Sequence, residues 1–161
     1  MPRQLLRDGH IVADDWCYLE EAQGKPAAAL ILTFAQWQES RDAWIARGAR
    51  HGVVLLPTDK LESLAPDLSR FALIGADFAG PSDGRGYSQA RRLREHWKFT
   101  GELRAKGYVR RDQLFFMARC GFNSFELADA ELEGSGSALS TFSWAYQPSN
   151  DAGLPVKLQY R

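Results

Sequence analysis

A chain of 161 residues, 45% hydrophobic and 25% charged, has the length and composition of one globular domain and too much apolar content for a disordered one. Its 20 basic residues are balanced by 20 acidic ones, so it lacks the Lys/Arg surplus that general nucleic-acid binding requires. Cys17 and Cys120 are far apart and too few for a disulfide framework, a four-cysteine zinc site or an iron–sulfur cluster, and they read as buried free thiols. The opening MPRQLLRDGHIV has no apolar segment of the kind a signal peptide needs, and no run in the chain is long enough to span a bilayer. The expectation is a cytoplasmic protein with neither a membrane nor a nucleic acid as partner.

In chain order, Gln4–Arg7 and His10–Val12 flank Asp8-Gly9, a dipeptide suited to the positive φ angles of a type I′ hairpin turn. After a polar stretch ending in Gly24-Lys25-Pro26, the apolar run Ala28–Thr33 predicts a strand covered on both faces. Phe34–Arg47 predicts a helix with Phe34, Trp37, Trp44 and Ile45 on one side and Gly48 as its stop. Val53–Leu56 predicts a second strand. Thr58 or Asp59 is a candidate cap for a short helix carrying Leu61, Leu64 and Leu68, interrupted by Pro66. Phe71–Phe78 predicts a third strand. Arg85–Lys98 predicts a helix with Tyr87, Ala90, Leu93 and Trp97 in one stripe. A fourth strand at Glu102–Ala105, a helix at Arg111–Cys120 stopped by Gly121, and a fifth strand at Ser124–Leu127 follow. A last helix is expected at Ala138–Tyr146, and a short strand at Val156–Tyr160 in a polar tail.

Strands alternating with helices argue for parallel βαβ units with right-handed crossovers. The fold class is therefore α/β: a mostly parallel sheet, either open or a partial barrel-like arc, with an N-terminal β-hairpin. Residues 1–147 form one domain, and residues 148–161 a C-terminal tail.

Ligands of parallel α/β sheets bind at the carboxyl ends of the strands. That rule selects Asp77, Arg104 with Lys106, and Glu126, at the ends of the third, fourth and fifth strands. The loop after the third strand adds Asp83, Gly84, Arg85, Gly86, Tyr87 and Ser88. There the glycines and a helix start favour an anion, with Arg85 as a bidentate partner. Gly84-Arg85-Gly86 begins like a dinucleotide fingerprint, but the third glycine position is Gln89 and Glu102 starts its strand instead of ending it. Arg91, Arg92, Arg94 and Lys98 extend the basic character along the helix, as a face for an anionic ligand or an acidic partner. His10, His51 and His96 stand apart from the cysteines and from ligand-spaced carboxylates, so no metal site is expected. Neither a nucleophile elbow nor a Walker loop is present. No flavin, haem or iron–sulfur cofactor is expected.

The segments Ser82–Arg94, Gly101–Ala105, Arg111–Phe116, Arg119–Phe122 and Phe125–Leu127 resemble a proteobacterial family of unknown function. The Asp83-Gly-Arg-Gly-Tyr-Ser-Gln-Ala-Arg91 block carries the likeness most specifically. Tyr108 and Arg110 depart from the family pattern, which often has an acidic and an aliphatic residue there. Members are short cytoplasmic proteins, usually encoded beside the assimilatory sulfite reductase hemoprotein and often labelled oxidoreductases. The resemblance implies an accessory protein of sulfite reduction, acting by docking, electron-donor coupling or assembly, with the hemoprotein as partner. The residues themselves leave open a small α/β enzyme, an oxidoreductase among the alternatives, acting on an anionic metabolite. In that case Arg85 and Arg104 hold the anion and Asp77 or Glu126 serves in acid–base chemistry.

Overall fold

The computed structural model describes residues 3–23, 29–133 and 135. The helix expected at Ala138–Tyr146 and the strand at Val156–Tyr160 lie outside them. Strands β1 (Gln4–Arg7) and β2 (His10–Ala13) form the antiparallel N-terminal hairpin. Its turn has Asp8 at φ 51° and Gly9 at φ 81°, the two positive angles that the Asp-Gly pair predicts. A short β3 (Cys17–Tyr18) and α1 (Leu19–Ala22) precede β4 (Ala29–Thr33), which follows the predicted apolar run.

Four strand–helix repeats then build the body. Between β4 and β5 (Arg50–Leu55) lie two short helices, α2 (Phe34–Glu39) and α3 (Arg41–Arg47), where sequence periodicity suggests one. The break falls at Ser40, which leaves helical geometry at ψ 35°. It swings Trp44 back so that its indole N–H reaches the Gln36 carbonyl at 3.3 Å. Thr33 caps α2 in a reciprocal capping box with Gln36. Helix α4 (Leu61–Leu64) runs into a 3-10 segment, Ala65–Arg70, that accommodates Pro66. Neither Thr58 nor Asp59 caps it; the Asp59 carboxylate instead accepts the Leu56 N–H at 2.7 Å. Strand β6 (Phe71–Phe78) leads to α5 (Arg85–Glu95), which ends three residues before the predicted Lys98. Lys98 sits at φ 54°, a left-handed conformation in which the helix cannot continue. Then come β7 (Glu102–Gly107), a 3-10 turn at Arg111–Gln113, α6 (Leu114–Cys120), β8 (Ser124–Phe125) and α7 (Asp129–Leu132).

The sheet order is β2-β1-β8-β7-β6-β5-β4-β3. From β3 to β8 every neighbouring pair is parallel and sequential, while β1 closes antiparallel onto β8. β6 and β7 pair in register, Asp77 opposite Lys106, with α5 as the expected crossover. The result is a curled half-barrel, the arc-like alternative of the sequence reading. Sequential right-handed crossovers put the helices on one side of such a sheet. Accordingly, Leu32, Val53, Leu55, Ile74, Ala76, Phe78, Leu103, Ala105 and Phe125 pack with Trp37, Leu64, Ala90, Leu93, Leu114 and Met117 in one large core.

The other face is concave and carries alternate residues of the same strands. Its apolar half is a small cluster of Trp16, Ala29, Ile31, Val54 and Leu73, with Tyr18 against it. Its charged half lies over β1, β7 and β8. The connection from β2 to β3, running between opposite edges of the sheet, is a strap over this face: it delivers Asp14 to the charged half and Trp16 to the apolar half. The hairpin docks beside it through Leu6 opposite Phe125.

Candidate active-site cleft

At the carboxyl ends of β3 to β8 the concave face opens into a cavity of about 170 Å³. Its walls include Tyr18, Ile31, Thr33, Val54, Leu56, Asp77, Lys106 and Glu126, one or two from each strand, with Arg3 at the rim. In a curled parallel sheet, residues at these ends are the ones that face a ligand. Three residues selected from the sequence, Asp77, Lys106 and Glu126, meet here.

A buried charge network supports the cleft floor. Arg104 is fully buried, and its guanidinium forks onto both oxygens of Asp14 at 2.9 and 3.0 Å. It also donates to Glu102 at 2.9 and 3.1 Å and to Glu126 at 3.2 Å. Despite burial, the hydrogen bonds and charges of Asp14 and Glu102 push its pKa above the ordinary arginine value. Arg104, assigned from sequence to hold an anion, here directs its guanidinium donors to three carboxylates of this chain. Arg7 adds a second cation on Glu102 at 3.4 Å.

Glu126 joins this network to the cleft. Its Oε1 accepts from Arg104 and also from the Tyr18 hydroxyl. Burial, and then the charge and hydrogen bond of Glu126, hold the Tyr18 hydroxyl well above the ordinary tyrosine pKa, so it stays protonated. Cations border the Tyr18 ring: the Lys106 ammonium lies 4.2 Å and the Arg3 guanidinium 5.1 Å from its centroid, within cation–π range. Arg3 is also paired with Glu21.

Asp77 and Lys106 stand apart from these pairings. Among the described residues Asp77 has no hydrogen-bond or ion-pair partner, and Lys106 meets no carboxylate within 4.0 Å. They are neighbours across β6 and β7 on the concave side, yet unbonded to each other. Gly107 makes room for the carboxylate: at φ 86°, a Cβ there would lie 2.4 Å from Asp77 Oδ1.

The Asp83–Arg91 block lies elsewhere, and none of it lines the cleft. Arg85 folds back on Asp83, donating to both carboxylate oxygens at 3.0 and 2.8 Å, while the Arg85 backbone N–H donates to Asp83 Oδ1 at 3.1 Å. That carboxylate thus occupies the helix start where an external anion was expected. Gly84 and Ser88 are exposed. Gly86 lies against the Phe78 ring, and Tyr87 packs edge-on to Phe78 and beside the exposed Phe116. The other arginines of the helix are engaged too: Arg91 with Glu95 at 3.8 Å, Arg92 with Glu62, and Arg94 on the carbonyls of Phe99, Gly101 and Gly121. Among the described residues no cluster of His, Cys, Asp and Glu suits a metal ion, and no helix is long and apolar enough to cross a membrane.

Sequence reasoning does not single out Tyr18 or Arg3. Tyr18 sits in a two-residue strand, too short for any period, within the charged stretch Asp14–Glu21. A weak signal was present in Trp16 and Tyr18, two aromatics one residue apart.

Fold and cleft together define a curled α/β half-barrel protein with its candidate site at the carboxyl ends of the parallel strands. The sequence pattern described as a bacterial protein of unknown function (DUF934) matches residues 52–157, and the chain belongs to that family. The match contains Asp77, Arg104, Lys106 and Glu126, whereas Arg3, Asp14 and Tyr18 precede it. Among curated proteins none matches the chain.

Proposed function

We propose that the protein is a small α/β enzyme acting on an anionic metabolite held in the strand-end cleft. One observation carries this reading: Lys106 and Asp77, a cation and a carboxylate on adjacent central strands, both line the cavity without an ionic partner among the described residues. Convergent polar groups that line a cleft and are not tied to each other are what a ligand site presents. Lys106 holds the anion in the role assigned from sequence to Arg85 and Arg104. Asp77 is the acid–base group, because Glu126 is already committed to Tyr18 and Arg104. Titrating the protein with acetate, pyruvate, phosphate and sulfite while following amide NMR shifts tests the site. Binding centred on the strand ends of β6 and β7, lost in Lys106→Met at unchanged melting temperature, is the expected result. Shifts centred on Asp83–Arg91 would move the site to that loop.

The accessory role in sulfite reduction rests on the resemblance to proteins encoded beside the reductase, with docking, donor coupling or assembly as its modes. Arg85, Arg91 and Arg92 each pair with a carboxylate of this chain while remaining exposed, and such exposed pairs are weak. A stable colourless complex with the sulfite reductase hemoprotein on co-purification would support the accessory reading. Visible absorbance of the isolated protein would instead favour a redox enzyme.

A further inference from the structure

We infer that the ligand of the cleft is a small zwitterionic acid, an amino acid with a short apolar side chain. The inference rests on the cleft being the functional site and goes further by naming the class of molecule it selects. Size comes first. A cavity of about 150 Å³ admits benzene, with six non-hydrogen atoms, so the half-open cleft of about 170 Å³ seats about six to eight such atoms. Nucleotides and flavins exceed that space several times over.

Charge comes second. A bare anion would satisfy Lys106 and leave Asp77 unpaired beside a new negative charge. A bare amine would do the reverse. A ligand bearing carboxylate and ammonium on one carbon satisfies both, because the two protein groups project from register-paired positions of neighbouring strands on one face. Its carboxylate meets Lys106 and its ammonium meets Asp77. One part of the remaining wall is apolar, formed by Ile31, Val54 and Leu56 beside the polar Thr33, Gln36, Glu20 and Glu21, and that part takes a short hydrocarbon side chain. Tyr18, fixed by Glu126, offers its ring face to Lys106 and so holds the ammonium in place.

The probe is L-2-aminobutyrate, compared with butyrate, 1-propylamine and sulfate by calorimetric titration of the full chain. Each lost charge-assisted contact costs about tenfold or more in affinity. The expected result is 2-aminobutyrate binding about tenfold or more above butyrate and propylamine. Asp77→Asn then abolishes the preference over butyrate, and Lys106→Met abolishes the preference over propylamine, with melting temperatures recorded for both variants. If butyrate or sulfate binds as well as 2-aminobutyrate and Lys106→Met removes that binding, the zwitterion inference fails while the cleft stands. If no probe binds, or if Lys106→Met and Asp77→Asn leave all binding unchanged, both fall together.

Discussion

Replacing Arg104 with Met is the sharpest test of how the half-barrel holds its concave face. The substitution keeps most of the buried volume and removes five hydrogen bonds, two to Asp14, two to Glu102 and one to Glu126. Asp14 suffers most, since its side chain is 1% exposed and its other cation, Arg3, is 3.9 Å away. Breaking a buried pair by deleting one partner costs about 3–5 kcal/mol. At about 2–4 °C per kcal/mol for a chain of this size, the melting temperature should fall by roughly 6–20 °C. Differential scanning calorimetry at pH 7 checks the size of the loss. Adding Asp14→Asn to Arg104→Met should recover part of the loss, with a coupling of about 0.5–3 kcal/mol. A loss under about 1 kcal/mol, the range of exposed pairs, would refute the account.

Gly86→Ala should lower stability by about 1–3 kcal/mol in chemical denaturation, because a Cβ there would lie 2.6 Å from Phe78 Cζ; a gain, as helix propensity alone predicts, would contradict the packing. Arg85→Ala should change the melting temperature little and leave cleft binding intact, since Arg85 is exposed and, among the described residues, paired with Asp83 alone; loss of ligand affinity would return the site to that loop. His51 is buried between Trp37 and Trp44 with Nε2 lacking a partner among the described residues, and burial, then the charge of Arg47, lower its pKa. The unfolded chain therefore binds this proton more readily, stability falls as pH drops below about 6.5, and His51→Phe should flatten that limb of the pH–stability curve.

Long, strongly patterned elements were legible from the residues alone. The Asp-Gly turn, the apolar runs of β4 and β6 and the glycine stops at Gly48 and Gly121 appear where local chemistry places them. The strand-end rule also found Asp77, Lys106 and Glu126, because it depends only on where apolar runs stop. What stayed hidden depends on tertiary partners. Ser40 carries no breaking signal, and α2 and α3 separate there while Trp44 turns back to Gln36. Arg104 looks like an available cation until Asp14, 90 residues earlier, is laid over it. Arg85 looks displayed until Asp83 turns toward it. Charge in a sequence marks where ions are, and the fold alone decides which of them remain free.

The strap across the concave face also sets an order of assembly. The strand–helix repeats from β4 to β8 close on near neighbours in the chain, whereas Asp14 reaches Arg104 across 90 residues and Leu6 pairs with Phe125. Contacts of long loop closure form late unless they seed the nucleus. The hairpin and strap then act as a latch that engages a half-barrel already curled, and interactions made after the transition state govern how long the native state lasts more than how fast it forms. Asp14→Asn should accordingly steepen escape from the native state and leave refolding nearly untouched; a slowed folding arm in stopped-flow chevrons would put the latch in the nucleus instead. Arg104, which the latch engages through Asp14, also donates to the Glu126 that holds Tyr18, so the lifetime of the fold and the shape of the cleft share one residue.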